Sequence, residues 1–130
     1  MKKGVSIMVI TILLVAVSAM FPIFMVIMGR WLLKNAPKDI NYVSGYRTKR
    51  SMVSKETWDY ANMTSGKYWF NLGLVSLPIF AIIGALVAVF IDHDSVTQIN
   101  VGIFGIMALQ LIPFLSVIPY TEKKLKMKFN

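Results

Sequence analysis

The stretch from Tyr68 to Ile91, YWFNLGLVSLPIFAIIGALVAVFI, contains no Asp, Glu, Lys, Arg or His in 24 positions. A helix needs about 20 apolar residues to cross roughly 30 Å of hydrocarbon, so this stretch is long enough to span a membrane. Backbone amides cannot remain unpaired in lipid, which makes a helix the expected conformation. The stretch therefore predicts a membrane-spanning helix.

Two further charge-free runs, Val5 to Met28 and Ser95 to Tyr120, have the same character. The 130-residue chain is 56% hydrophobic, above the roughly 45–50% that is typical of soluble domains. We therefore predict an all-α polytopic membrane protein with three transmembrane helices in a single membrane domain, residues 1–130. The predicted spans are about 5–28, 68–91 and 97–120, joined by a polar loop, 29–67, and followed by a tail, 121–130.

The first run also has features of a secretory signal. Lys2 and Lys3 precede it, and Val17-Ser18-Ala19 is similar to a small-residue cleavage site. The apolar stretch nevertheless continues well beyond Ala19, to Met28. We expect a retained helix, with a cleaved signal peptide as the alternative.

Basic residues are concentrated on one predicted side of the membrane. The formal net charge is +8, and all Lys and Arg residues except Lys2 and Lys3 lie in the loop and the tail. By the positive-inside rule, the N-terminus should be outside the cell, with the loop and the C-terminus in the cytoplasm. Because these cations flank apolar runs, we expect a bilayer with anionic head groups as their partner, and not nucleic acid.

A helix should begin before the second span. Ser54 is a candidate N-cap with Glu56 in the first turn. From there one face carries apolar and small polar residues: Trp58, Ala61, Asn62, Ser65 and Trp69. We predict a juxtamembrane helix from about Ser54, lying on the membrane surface or continuing into the span, with Gly66 as a candidate break. Arg47 should donate to carbonyls or to a carboxylate, with Asp59 as the candidate partner.

Several function classes are disfavoured. The three runs contain no ionisable side chain, which argues against a pump or a coupled transporter. His93, between Asp92 and Asp94, has no second ligand cluster, and the chain has no cysteine, so we expect no metal site, no cofactor and no enzyme. Asn100 and Gln110 should form interhelical hydrogen bonds, with ligand contact as the alternative. Small residues at helical spacing also allow self-association into a homo-oligomer: Gly84 with Ala88, and Gly102 with Gly105.

The loop carries the strongest family signal. Its ordered residues are Gly45-Tyr46-Arg47-Thr48, Ser51, Ser54, Trp58 and Ala61-Asn62, and the chain ends with Pro119-Tyr120-Thr121-Glu122 and a run of lysines. This order resembles the SdpI/YfhL family of small bacterial membrane proteins. The resemblance implies a motif or partner-binding site made of Gly45, Tyr46, Arg47, Thr48, Ser51, Ser54, Trp58 and Asn62.

The resemblance also implies a function. The best-known members of that family protect a producing cell from a secreted toxic peptide. The founding member also signals the presence of the peptide by holding a transcriptional repressor at the membrane. We therefore expect an immunity protein of the bacterial cell membrane that acts against a membrane-active peptide, with a signalling role. The alternative is a membrane scaffold that docks a soluble cytoplasmic regulator through its basic loop and tail.

Overall fold

A computed structural model describes residues 3–129 and contains four helices in that range. They are α1 (Lys3–Asn35), α2 (Lys55–Phe90), α3 (Val96–Leu115) and α4 (Val117–Phe129). Three segments are long and apolar enough to cross a membrane, namely Ser6–Asn35, Lys55–Phe90 and Val96–Phe129. No strand occurs between residues 3 and 129, so the prediction of an all-α, multi-pass membrane protein is confirmed.

Helices α1 and α2 form the central antiparallel pair, and α3 packs against both. At one end, Leu14, Ala88 and Ile106 form a buried cluster that joins all three helices. Nearer the other end, the rings of Phe21 and Phe114 meet edge to face at 5.0 Å. These contacts join α1, α2 and α3, with the short connection 91–95 at one end of the bundle and the irregular segment 36–54 at the other.

Glycines on α2 bring the central pair into close contact. A Cβ atom on Gly73 would lie 2.9 Å from the carbonyl oxygen of Pro22, and one on Gly66 would lie 2.9 Å from that of Gly29. The prediction that Gly66 breaks the helix is wrong. Gly66 is buried inside a continuous helix, where the absence of a side chain lets the α1 backbone approach.

The helices extend beyond the predicted spans. Ser54 caps α2 as predicted, and the juxtamembrane helix continues directly into the second span over 36 residues. Helix α1 runs to Asn35, so the irregular part of the predicted loop 29–67 is limited to 36–54. Most of the predicted tail is also helical, because α4 reaches Phe129.

A break at Ser116 separates α3 from α4, between Pro113 and Pro119. Because α3 ends here, the carbonyls of its last turn lack intrahelical donors. Here the Ser116 hydroxyl donates to the Pro113 carbonyl at 2.6 Å, and the Trp69 indole donates to the Phe114 carbonyl at 3.0 Å. Two side chains therefore donate to backbone carbonyls at the break between α3 and α4.

Gln110 connects α3 to α1. Its side chain is wholly buried, and its amide nitrogen donates to the carbonyls of Val17, at 3.2 Å, and of Ser18. The prediction of an interhelical hydrogen bond is confirmed for Gln110, whereas Asn100 is exposed on α3. Of the predicted small-residue pairs, Gly84 packs against Ser18, but Gly105 has open space beside it.

Candidate functional site

The irregular segment 36–54 is anchored to the first turns of α2 by Trp58. The Trp58 side chain is wholly buried, and its indole nitrogen donates to the carbonyl oxygen of Pro37 at 2.7 Å. Burial of so large an aromatic ring contributes substantial apolar contact, and the bond satisfies its polar edge. The segment is thereby fixed to the helix just after the end of α1.

Gly45 turns the chain over the Trp58 ring. Its φ of +98° belongs to the left-handed region, which side chains other than hydrogen adopt rarely. A Cβ atom there would lie 2.9 Å from both the Trp58 ring and the Asn62 amide oxygen. Both the backbone conformation and the lack of space therefore require glycine at this position.

Asn62 links the turn to α2. Its side-chain oxygen accepts from the Tyr46 backbone nitrogen at 2.8 Å, while its side-chain nitrogen donates to the Trp58 carbonyl at 2.8 Å. The residue is almost fully buried, so an unpaired amide there would be costly. The two hydrogen bonds of the Asn62 side chain thus connect α2 to the Gly45–Thr48 motif.

Tyr46 and Thr48 connect this turn to the beginning of α4. The Tyr46 hydroxyl lies 3.3 Å from both the Ile118 carbonyl and the Glu122 carboxylate, and the Thr48 hydroxyl donates to the same carboxylate at 3.2 Å. Burial, reinforced by the Glu122 charge, raises the pKa of Tyr46 well above its ordinary value. Tyr46 therefore remains a protonated donor at physiological pH.

Ser51 and Ser54 shape the remainder of the motif. The buried Ser51 hydroxyl accepts from the Thr48 backbone nitrogen at 2.8 Å and donates to the Tyr46 carbonyl at 2.9 Å. Ser54 and Thr57 form a reciprocal capping box, and the Thr57 hydroxyl also donates to the Ser51 carbonyl at 3.0 Å. The turn and the start of α2 therefore form one continuous hydrogen-bonded unit.

Arg47 differs from its neighbours because its side chain is exposed. It donates to the Tyr42 carbonyl at 3.3 Å, which confirms the expected carbonyl contact. The expected partner Asp59 is wrong, since Asp59 pairs with Lys55 one turn earlier on α2. One weak carbonyl contact leaves most of the five donors of the guanidinium directed to its surroundings.

An apolar groove of about 490 Å³ lies beside the motif. Its walls come from all four helices and its rim from the segment 43–47. The lining includes Phe24, Ile27, Trp31, Trp69, Phe114, Val43 and Arg47. The groove is open on its flank, because Ile27 and Val43 are 61% and 84% exposed. A cleft of this size and character can accept an apolar segment with a polar or anionic group near Arg47.

All eight predicted site residues therefore belong to one unit. Seven of them hold the turn together, and Arg47 is the one that presents a charge outward at the groove. Sequence reasoning missed Glu122 as a structural partner, as well as Phe114 in the groove wall. Glu122 was visible as part of the C-terminal pattern, but no local signal relates its position to a turn more than 70 residues earlier.

The described part of the chain contains no cluster of candidate metal ligands. Within residues 3–129, no three His, Cys, Asp or Glu side chains are grouped closely enough to hold an ion. His93 lies in the connection 91–95, at the end of the bundle away from the motif. What the site offers is hydrogen bonding, apolar contact and a single outward cation.

Comparison with known proteins gives two matches and one negative result. A family model described as the SdpI/YfhL protein family matches residues 38–121, which include every predicted site residue. The uncharacterized protein YfhL of Bacillus subtilis (strain 168) is 38% identical over 61 residues, covering 47% of this chain and 56% of that protein. The match thus spans little more than half of the relative's length. No solved structure matches the chain.

Proposed function

This chain belongs to the SdpI/YfhL protein family. On that basis we propose that the protein binds a membrane-active toxic peptide and thereby protects the bacterial cell in which the protein is made. The observation that carries the proposal is the apolar groove beside the Gly45–Thr48 motif, with Arg47 at its rim. The proposal is one of binding and not of catalysis.

The groove suits a ligand that arrives through the bilayer. A peptide that acts on membranes buries an apolar face in lipid and keeps polar groups near the interface. The groove walls are aromatic and aliphatic, and exposed side chains such as Ile27 leave its flank accessible from the lipid. A polar or acidic group of the peptide would meet the Arg47 guanidinium, which can bind a carboxylate through two parallel hydrogen bonds.

The predicted orientation sets the depth of this encounter. With loop and tail in the cytoplasm, the groove would belong to the cytoplasmic half of the membrane. A peptide that has already inserted would then reach it by lateral diffusion. Capture at that point would remove the inserted peptide from the pool that damages the membrane.

Filling the groove tests the proposal. We expect expression of the chain in a peptide-sensitive bacterium to raise survival under challenge with membrane-active peptides, and Ile27→Trp or Val43→Trp to abolish the gain. Ile12→Trp is the matched control, because Ile12 is on the same helix as Ile27, is equally exposed at 61% and lies outside the groove. An unchanged sensitivity on expression, or equal loss in Ile12→Trp, would exclude this function.

A regulatory scaffold is the second candidate, favoured by the contact between the motif and α4. Because Glu122 joins Tyr46 and Thr48, the loop and the lysine-rich helix form one ordered unit with exposed cations. Such a unit could dock an acidic cytoplasmic protein. Crosslinking in cells should then capture a soluble partner, and the capture should weaken in Arg47→Ala but not in Lys55→Ala, whose charge is already paired.

A further inference from the structure

A second pocket of about 290 Å³, more polar than the apolar groove, lies between α2 and the start of α4. Two lysines, three tyrosines, one asparagine and one threonine supply its polar lining, namely Lys67, Lys124, Tyr60, Tyr68, Tyr120, Asn71 and Thr64. No carboxylate lines it. This pocket shares no lining residue with the apolar groove beside the motif, so it requires a separate account.

The charge-free runs of the sequence place this pocket at the expected border of the membrane. Tyr68 opens the second charge-free run and Tyr120 closes the third, and their rings stack at 4.3 Å. Tyrosines at the ends of spans lie at the level of the lipid head groups. Lys67 and Lys124 lie beyond these rings on the polar side, whereas Asn71 lies about one turn inside the span.

The charges of Lys67 and Lys124 are not neutralised by a carboxylate within the described residues 3–129. Neither forms an ion pair anywhere in the range 3–129, although Lys124 lies 5.7 Å from the centre of the Tyr120 ring. Lys128 does not line the pocket, but its ammonium lies 4.7 Å from the centre of the ring of Tyr60, which does. Two lysines that line a pocket without carboxylates favour a small anion with several acceptor oxygens.

We propose that this pocket binds the phosphodiester of an anionic phospholipid head group, with the acyl chains lying along the second and third spans. The phosphate would contact Lys67 and Lys124, and the Tyr60 hydroxyl and the Asn71 amide would contact the remaining polar part of the head group. The position at the membrane border identifies a lipid, and not free phosphate, as the source of the anion. Basic pockets between transmembrane helices bind anionic head groups in this manner.

Reconstitution of the full chain tests this site. The protein is placed in phosphatidylcholine bilayers with and without phosphatidylglycerol, and the lipid that remains bound is measured by native mass spectrometry after detergent extraction. We expect selective retention of phosphatidylglycerol, reduced about tenfold or more in the double variant Lys67→Gln and Lys124→Gln. The double variant Lys123→Gln and Lys126→Gln removes the same charge from exposed positions of α4 and should retain the lipid.

Further variants keep the test decisive if the glutamine pair misfolds. Lys67→Arg with Lys124→Arg preserves charge and should preserve retention, and helix content by circular dichroism reports folding in every case. Equal loss in both glutamine pairs would reduce the effect to general surface charge and overturn the site. Displacement of the lipid by inorganic phosphate at similar concentration would overturn the lipid as its source, and equal retention of both lipids would overturn the selectivity.

Discussion

At the scale of single residues, the site depends on a turn that accepts no side chain. Gly45→Ala places a Cβ atom against the Trp58 ring and the Asn62 amide while forcing a φ near +98°. We expect a loss of about 1–3 kcal/mol of stability, seen as a lower melting temperature in mild detergent. Gly105→Ala is the control, because a Cβ atom there meets open space. Equal melting temperatures for the two variants would contradict this account of the turn.

Glu122 is the residue that ties the motif to α4. Glu122→Ala removes the acceptor that both Tyr46 and Thr48 use, so we expect a loss of about 1–3 kcal/mol by thermal denaturation. Glu122→Gln keeps an acceptor oxygen without its charge and should cost less. Asp59→Ala is the matched control, because it breaks an exposed pair worth about 0.3–0.5 kcal/mol. If Asp59→Ala and Glu122→Ala lowered the stability equally, the hydrogen bonds to Glu122 would contribute no more than an exposed ion pair.

Local chemistry predicts part of this residue-scale structure and long-range contacts decide the rest. The Ser54 cap and the buried face with Trp58 and Asn62 follow from spacing within one helix. The choice of Asp59 for Arg47 failed because Lys55, four residues before Asp59 on the same helix, is a nearer cation. The Glu122 contact depends on how the third span lies beside the loop, which local sequence does not contain.

At the scale of elements, close approach of α1 and α2 holds the bundle together. Gly73→Leu would push its side chain into the Pro22 carbonyl and the Val26 side chain, which lie 2.9 and 2.8 Å from a Cβ atom. We expect the pair to separate, with a loss of helix packing detected as a lower melting temperature and faster proteolysis. Gly105→Leu makes the same change on an open face of α3 and should remain close to the parent protein. Equal behaviour of the two variants would refute the close contact.

Hydropathy predicts the existence and number of the spans, because hydrocarbon demands long charge-free helices. It does not predict which helices pair. Gly66 illustrates the difference, because a glycine can either interrupt a helix or allow two helices to pack closely. Its burial against Gly29 shows that it does the second. The break at Ser116 is similar, because a proline at 113 favours an interruption of the helix but does not predict that the Trp69 indole donates to the Phe114 carbonyl there.

At the scale of the whole molecule, both pockets arise from the same arrangement. The segment 36–54 and α4 meet at one end of the bundle, with the apolar groove and the lysine pocket formed by different residues there. Neither pocket is visible in the sequence, because each combines side chains from distant parts of the chain. The proposed peptide and lipid sites therefore both depend on loop and tail lying on the same side of the membrane.

Cysteine accessibility tests that dependence most directly, since the chain has no cysteine of its own. Single variants Lys49→Cys, Lys126→Cys and His93→Cys report the loop, α4 and the connection between α2 and α3. In intact cells we expect a membrane-impermeant maleimide to label His93→Cys. The same reagent should label Lys49→Cys and Lys126→Cys only after the cells are permeabilised. Labelling of Lys49→Cys and Lys126→Cys from opposite sides of the membrane would contradict the three-span arrangement.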